Sequence, residues 1–365
     1  MNVSDLTRFL ETLAPLALQE DYDNAGLITG KPGMDVRSAI ISLDATEAVL
    51  DEAIETGANL IISHHPIVFK GLKKLNGQRY VERVVEKAIK NDIALYAIHT
   101  NYDNVIDGVN ARICARLGIT NTRILAPKTG LLRKLVTFAP EAHAETVKEA
   151  LFSAGAGAIG DYDECSFNVS GTGTFRPGEN TNPYSGTVGE RKNEAEIRIE
   201  TIFPAHLQKQ IIVALIMAHP YEEVAYDIFP TENSWQQAGA GMIGEIAEAV
   251  SEADFLARIK EKMEVKVIRH TRLRNTPVRK VAVCGGSGSF LLGNALAAGA
   301  DFFITADFKY HEFFDAEKKL VIADIGHFES EQFTQHLLLE KIREKFPNFA
   351  VRLTAHNTNP VNYYF

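Results

Sequence analysis

NLIISHHP, residues Asn59 to Pro66, joins a short apolar run to two adjacent histidines. Two similar runs flank it, SAIISLD (Ser38 to Asp44) and DIALYAIHT (Asp92 to Thr100), and the helical patterns TEAVLDEAIETGA and QRYVERVVEKAIKN lie between them. Short apolar runs that alternate with amphipathic helices are typical of a parallel sheet covered by helices. Residues 1–126 are therefore predicted to form an α/β segment.

The same alternation returns near the C-terminus. Its apolar runs are RKVAVCGG (Arg279 to Gly286), DFFITA (Asp301 to Ala306), KLVIADIG (Lys319 to Gly326) and FAVRLTAH (Phe349 to His356). A helix is predicted from about Glu331 to Phe346, where Pro347 ends it. Residues 239–365 are predicted to form the second half of one discontinuous α/β domain with residues 1–126.

The middle of the chain has a different order of elements. The patterns in residues 127–238 follow one another as β-α-β-β-α-β, with a Gly-, Pro- and Asn-rich loop between Gly171 and Lys192. That order is the ferredoxin-like pattern. We therefore expect an inserted α+β domain at 127–238.

Composition excludes several classes of protein. Hydrophobic residues make up 45% of the 365 residues and charged residues 23%, as in an ordinary globular protein. A net charge of -9 gives no electrostatic reason to expect nucleic acid as a partner. The three cysteines (Cys114, Cys165 and Cys284) form no CxxC pair, and neither a signal peptide nor an apolar run of about 20 residues is visible. We expect a cytoplasmic protein that does not enter a membrane.

The two histidines of SHHP stand at the predicted end of a strand. Successive side chains of a strand point to opposite faces, so His64 and His65 can reach one site only where the strand has ended, and Pro66 supports an end there. Ligands bind at the carboxyl ends of parallel strands. Hydrated surface histidines are the alternative interpretation.

A second strand end carries HTNYDN. Asp103 is the best candidate ligand there, because an ionised carboxylate is a hard oxygen donor suited to divalent ions. His99 is either a partner of the ligands or a core histidine, and Asn101 and Asn104 could simply form turns.

A third strand end carries GHFESE. His327 and Glu331 are four residues apart, so they share a face if a helix has begun. Acidic residues are also common in the first turn of a helix because of its dipole, which is the alternative explanation of Glu329 and Glu331.

Together these strand ends supply three histidines and two carboxylates, which is more than one four-coordinate ion needs. Two divalent ions that share a carboxylate, about 3.5 to 4 Å apart, would use them all and could activate water. Nitrogen and oxygen donors without cysteine suit Zn, Fe, Mn, Co or Ni. We therefore expect the three strand ends to lie side by side in a doubly wound sheet.

Several motifs resemble a known family. They are DYDNAGL (Asp21 to Leu27), SHHP, HTNYDN, GGSGS (Gly285 to Ser289), ITADFKYHE (Ile304 to Glu312) and GHFESE. In this order they resemble the Nif-three-like proteins, also named GTP cyclohydrolase I type 2 homologues. The resemblance covers both outer segments, and the middle resembles the PII-like (CutA-like) insert of longer bacterial members. Ala306 stands where the family pattern leads us to expect glycine.

The resemblance implies a ligand assignment and an assembly. One metal would be held by His65 and Asp103, the other by His64 and His327, with Glu331 bridging both. The assembly would be a toroidal homohexamer, a trimer of dimers, with the metal sites facing an internal cavity.

Two further features invite a functional interpretation. GGSGS could cradle a phosphate, although a tight strand-to-helix turn capped by Ser287 or Ser289 is the simpler explanation. His311, and also His99, could orient a substrate or transfer a proton, because imidazole titrates near neutral pH.

Two functions therefore stay open. The first is a metal-dependent hydrolase that acts on a small, nucleotide-like substrate; the family name suggests GTP, but it is only a homology label. The second is a metal carrier, sensor or regulatory protein whose PII-like insert binds a small molecule.

Overall fold

The computed structural model describes residues 1–364 and has a mixed α/β architecture with several sheets. The chain divides into two compact units. Unit 1 comprises residues 1–127 and the residues from 237 onward, and unit 2 comprises residues 128–236. In the part of the chain that the structure describes, no helix has the length and apolar character needed to cross a bilayer.

The first part of the chain contributes the following elements, in chain order: α1 (Val3–Leu13), β1 (Gly26–Thr29), β2 (Ala39–Ser42), α2 (Glu47–Thr56), β3 (Leu60–Ser63), α3 (Tyr80–Lys90), β4 (Ala94–Ala97), α4 (Thr100–Asp103), α5 (Val109–Leu117) and β5 (Ile119–Lys128). In β2, β3 and β4, each four residues long, every residue is buried. Continuous apolar runs of this kind are characteristic of parallel strands covered on both faces.

Unit 2 contains four strands and two α-helices: β6 (Leu132–Pro140), α6 (Ala144–Ser153), β7 (Ser166–Phe175), β8 (Lys192–Pro204), α7 (Gln208–Ala218) and β9 (Tyr226–Pro230). They form a four-stranded antiparallel sheet in the order β7-β8-β6-β9. Both helices cover one face of this sheet, and the core between them includes Leu135, Val147, Leu151, Ile199, Ile211 and Leu215. Phe138, Glu196 and Arg198 alternate with the core residues along β6 and β8, so they lie on the other face.

The last part of the chain contributes β10 (Trp235–Val250), α8 (Glu252–Lys262), β11 (Arg269–His270), β12 (Val278–Ser287), α9 (Leu292–Ala297), β13 (Phe302–Ala306), β14 (Val321–Asp324), α10 (His327–Glu331), α11 (Thr334–Lys345) and β15 (Val351–Leu353). The helix predicted from about Glu331 therefore begins at Thr334. Glu331 instead ends the separate short helix α10, which begins directly after Gly326.

Unit 1 has two sheets. The first has the order β1-β4-β3-β2-β15, in which β15, β2, β3 and β4 are parallel and β1 is an antiparallel edge. The second has the order β11-β14-β13-β12-β10-β5, with β12, β13 and β14 parallel. The expectation of one doubly wound sheet is therefore wrong: β3 and β4 belong to the first sheet and β14 to the second. An apolar run shows that a strand is buried, but it does not specify which strands lie beside it.

The two sheets exchange edge strands between the halves of unit 1. β15, from the end of the chain, pairs with β2 in the first sheet, whereas β5, from the first half, is the edge strand of the second sheet beside β10. Each sheet therefore consists mainly of strands from one half and has one edge strand from the other half. This exchange holds the strand ends of both halves in one structural unit.

Candidate metal centre

Three strand ends of unit 1 bring five side chains together. His64 and His65 directly follow β3, Asp103 ends α4 just after β4, and His327 and Glu331 are the first and last residues of α10 after β14. Their nitrogen and oxygen atoms form overlapping groups within 4.8 Å of one another. Residues far apart in the sequence thus become neighbours, as the strand-end argument anticipates.

The donor atoms group differently from the ligand assignment that the family resemblance implies. His64 lies with Asp103 and Glu331, while His65 lies with His327 and Glu331. The Nε2 atoms of His65 and His327 are 3.3 Å apart, and His64 Nε2 is 3.6 Å from Asp103 Oδ1. In the structure, therefore, Asp103 lies with His64 and His327 lies with His65, which is the reverse of the implied assignment. Glu331 belongs to both groups, with Oε1 3.8 Å from His64 Nε2 and Oε2 3.0 Å from His65 Nε2.

His64 is fully buried and its tautomer is fixed. Its Nδ1–H donates to the carbonyl of Ile98 at 2.7 Å, and a carbonyl can only accept, so in the neutral ring Nε2 carries the lone pair. Among the described residues, neither His64 Nε2 nor Asp103 Oδ1 has a hydrogen-bond partner, although both atoms are buried. Buried polar atoms without a partner are costly, and a cation bound by both would satisfy them. The donor set therefore fits a metal ion.

Two aspartates that sequence reasoning missed orient the other two rings. His65 Nδ1–H donates to Asp44 Oδ1 at 2.8 Å, and His327 Nδ1–H donates to Asp307 Oδ2 at 2.7 Å. In both rings Nε2 is left to face Glu331. A carboxylate behind a ligating histidine is the usual way to fix its orientation and raise its basicity. Asp44 and Asp307 each follow a strand end, β2 and β13, so the rule that selected His64 could have found them.

The charges of the cluster depend on one another. Burial raises the pKa of Asp103 to about 7 and outweighs the effect of the nearby His64. Burial alone would lower the pKa of His65 and of His327, but the carboxylates of Asp44, Asp307 and Glu331 hold both above the ordinary value. The raised pKa values of His65 and His327 favour their protonated forms, and a metal ion that bound to these rings would displace the protons.

The two other candidate histidines lie in different places. His99 is buried, donates from Nδ1 to Asp23 Oδ1 at 2.7 Å, and has a donor nitrogen grouped with those of His64 and His65. Burial lowers the pKa of His99. His311 is exposed in a 3-10 turn, where its ring contacts Tyr310, and the structure does not bring it to the cluster. Of the two, only His99 is placed to act on a ligand of this site.

The GGSGS segment forms a turn that supports the cluster. β12 ends at Ser287 and a 3-10 helix begins at Ser289, without a side-chain cap from either serine. Ser287 instead donates to Asp307, and the amide of Gly286 donates to Ser330. Gly286 has a φ of +63°, and a Cβ there would lie 2.3 Å from Glu331 Oε1. Glycine is required here because the backbone passes against the shared carboxylate.

Two cavities open beside the cluster. The larger has a volume of about 720 Å³ and is lined by His65, His99, His327, Asp44 and Asp307, together with Phe69, Tyr80, Arg269 and Tyr363. The smaller, of about 190 Å³, reaches Asp103 and Glu331. The larger volume is in the range that holds a small molecule.

The fold and the cluster together define a mixed α/β protein with histidine and carboxylate groups that could hold metal ions. This chain belongs to the Duf34/NIF3 (NGG1p interacting factor 3) family, whose model matches residues 1–360. It is 40% identical over 328 residues to a GTP cyclohydrolase 1 type 2 homolog of Halalkalibacterium halodurans, which covers 89% of this chain and 88% of the relative. The Bacillus subtilis protein of the same name is 38% identical over 330 residues, 90% of this chain and 88% of the relative.

Solved structures agree with this assignment. The crystal structure of a Bacillus cereus protein related to NIF3 is 40% identical, with a TM-score of 0.87, and the match covers 100% of this chain and 99% of that one. The resemblance to the family found in the motifs is therefore confirmed.

Proposed function

We propose that this protein binds two divalent metal ions and is a metal-dependent hydrolase of a small substrate. The observation that carries the proposal is that two buried atoms, His64 Nε2 and Asp103 Oδ1, have no hydrogen-bond partner within residues 1–364 and face the same carboxylate as the His65 and His327 pair. One position would use His64 and Asp103, the other His65 and His327. Glu331 would serve both. Nitrogen and oxygen donors leave Zn, Fe, Mn, Co and Ni as candidates.

Two such ions supply Lewis acidity and positive charge for attack on a polarised bond. The protein's own groups hold the geometry. Asp44 and Asp307 keep the His65 and His327 rings turned toward Glu331. His99, held through Nδ1 by Asp23, keeps its Nε2 free to accept a proton from a reacting group in the larger cavity.

The larger cavity supports a small substrate. Its aromatic side chains, Phe69, Tyr80 and Tyr363, offer surfaces for a flat ring, and Arg269 offers a cationic group. A nucleotide-like substrate is consistent with that lining. The name of the relatives, GTP cyclohydrolase 1 type 2 homolog, points to GTP, which makes GTP one compound to test.

The proposal is tested by three measurements on the same purified protein. Elemental analysis should find about two divalent ions per chain, and anomalous diffraction should place them beside Glu331. A screen of phosphoester, amide and C=N substrates should detect turnover that requires the ions. A hydrolase retains at least one ion through many turnovers, whereas a carrier or sensor releases its ions to physiological chelators. Two bound ions that dissociate rapidly, without turnover of any compound, would favour the carrier.

We also propose that unit 2 is a ferredoxin-like insert of the PII or CutA type. Its support is the β-α-β-β-α-β order and a sheet in which the first and third strands, β6 and β8, are central. Expression of residues 128–236 alone should give a cooperatively folding domain.

We propose further that the protein is a cytoplasmic homohexamer, a toroidal trimer of dimers. The exposed aromatic side chains of Phe290, Tyr310 and Phe314 support an interface between copies, and the three unpaired cysteines suit a reducing compartment. Light scattering should give a mass about six times that of the 40.3 kDa chain. A monomer would contradict the assembly without affecting the metal proposal.

A further inference from the structure

Unit 2 contains a large cavity that is separate from the metal centre. Its volume is about 730 Å³, and every residue that lines it lies between Phe138 and Ala225. It occupies the face of the four-stranded sheet that α6 and α7 leave uncovered. Segments of β7 and β8 form its floor, and residues 176–184 form part of its wall.

Aromatic rings stand around one part of this cavity. Tyr221 lies between two others, with ring centroids 5.9 Å from those of both Phe175 and Tyr184. The Tyr184 hydroxyl is 3.0 Å from His143 Nε2, and His219 packs against Tyr221. These contacts hold the rings in place without filling the space that they surround.

A buried carboxylate lies among the rings. Glu196 is 9% exposed, and its Oε1 accepts a hydrogen bond from the Tyr221 hydroxyl at 2.7 Å. Its Oε2 approaches the backbone of β7 so closely that a Cβ on Gly173 would lie 2.0 Å away. Glycine at position 173 thus makes the room that this carboxylate occupies.

The wall beside the rings is also held by hydrogen bonds. The amide of Asn182 donates to both carboxylate oxygens of Glu222, at 3.0 and 3.2 Å, and Ser185 donates to Glu194 at 2.6 Å. The loop is therefore fixed as one side of the cavity.

The lining is net acidic. Its carboxylates are Glu196, Glu222 and Glu223, and its guanidinium groups are Arg176 and Arg198. Arg198 is already paired with Glu200, at 2.9 Å. Aromatic faces combined with a buried acid attract a cation that is bulky and weakly hydrated, because ring quadrupoles and the carboxylate both favour positive charge.

We propose that this cavity is a binding site for a small organic cation, of the alkylated ammonium class, which contacts the rings of Phe175, Tyr184 and Tyr221 and is neutralised by Glu196. A small inorganic cation would leave the aromatic surface unused. The site does not depend on the metal centre, so each proposal can fail without the other.

Choline is a suitable probe, and 3,3-dimethylbutan-1-ol is its uncharged isostere. Isothermal titration of the full-length protein should give saturable choline binding, with the isostere about tenfold weaker or undetectable. Equal binding of both compounds would show an apolar cavity without cation selectivity and would overturn the proposal. So would the absence of choline binding up to about 10 mM.

Two variants locate the binding. Glu196→Gln keeps the shape of the side chain but removes its charge, so it should weaken the binding of choline about tenfold. Glu149→Gln, an exposed change on α6 of the same unit, should not change choline binding. If Glu196→Gln does not fold, Tyr184→Leu serves instead, because Tyr184 is 49% exposed. Tyr184→Leu should weaken the binding of choline several-fold and leave any binding of the isostere unchanged. Choline binding that neither variant alters would lie elsewhere and would exclude this site.

Discussion

Unit 1 and unit 2 each bury a glutamate at the edge of a cavity but surround it with different chemistry. Glu331 is 3% exposed and faces three imidazoles and an aspartate, while Glu196 is 9% exposed and faces aromatic rings and a phenol hydroxyl. The first environment offers several lone pairs at short distance, which suits small multivalent ions. The second offers one charge and broad π surfaces. The comparison shows that a buried carboxylate specifies a cation only together with its neighbours.

The strongest test of this contrast removes the charge of Glu331. Glu331→Gln should lower the metal content from about two ions per chain to less than one, because both proposed positions share this carboxylate. Elemental analysis of proteins purified side by side measures the change. Glu329→Gln is the matched control, since Glu329 is also buried on α10 but binds Asn359. Equal metal content in both variants would refute a shared ligand.

Removal of the metal ions by a chelator should destabilise unit 1 and leave the stability of unit 2 unchanged. Ligands that bind only the folded state stabilise it by about 4 kcal/mol at a thousandfold excess over Kd, so removing the ions should increase amide exchange around residues 64, 103 and 327. Peptides from β8 in unit 2 should be unaffected. Hydrogen exchange with mass spectrometry, with and without chelator, measures this. A similar change in both units would mean that they are not energetically distinct.

A smaller effect is expected from the aspartate that orients His327. Asp307→Asn keeps the size but removes the charge behind the ring, and such changes typically cost 10- to 100-fold in metal affinity, or about 1.4 to 2.7 kcal/mol. Competition with a chromophoric chelator measures the affinity. Asp315→Asn, an exposed change in the neighbouring 3-10 helix, should have no effect. Equal affinities in the two variants would show that Asp307 does not position the ring.

The smallest effect should come from the segment after β15. Thr358 donates to Asp44 Oδ2 at 2.8 Å, so Thr358→Val should weaken metal binding only a few-fold, in line with about 0.5 to 1.5 kcal/mol for one hydrogen bond. The same titration measures it. Thr354→Val removes a hydrogen bond to Glu52 instead and should leave metal affinity unchanged. If Thr354→Val lost more metal affinity than Thr358→Val, the hydrogen bond from Thr358 to Asp44 would not be the one that supports the metal centre.

Much of the local structure could be predicted from the sequence because apolar runs and strand ends carry clear signals. NLIISHHP forms a buried strand that stops at Ser63, and His64 follows it immediately. His327 and Glu331 occupy one short helix, as their spacing indicates. The mixed α/β class is confirmed, and the structure brings all five candidate ligands together, while their binding of metal stays a proposal.

The rest depends on long-range pairing, which sequence periodicity does not encode. No spacing connects Asp44 to His65 or Asp307 to His327, and these contacts arise only when different strands end beside one another. For the same reason the assignment of β3 and β4 to one sheet and of β14 to the other was not predicted. The partners of His64 and His65 depend on how the backbone turns at two adjacent residues after β3, and the spacing of the residues does not specify that turn.

The exchange of edge strands also sets the order of events during synthesis. His65 and His327 are separated by 262 residues, and at about 5 to 20 residues per second a ribosome needs roughly 13 to 50 seconds to add them. During that interval the emerging chain carries the SHHP histidines without Glu331. The first sheet also lacks β15 until the ribosome has passed Leu353. The five side chains of this centre can therefore come together only after unit 2 has been synthesised.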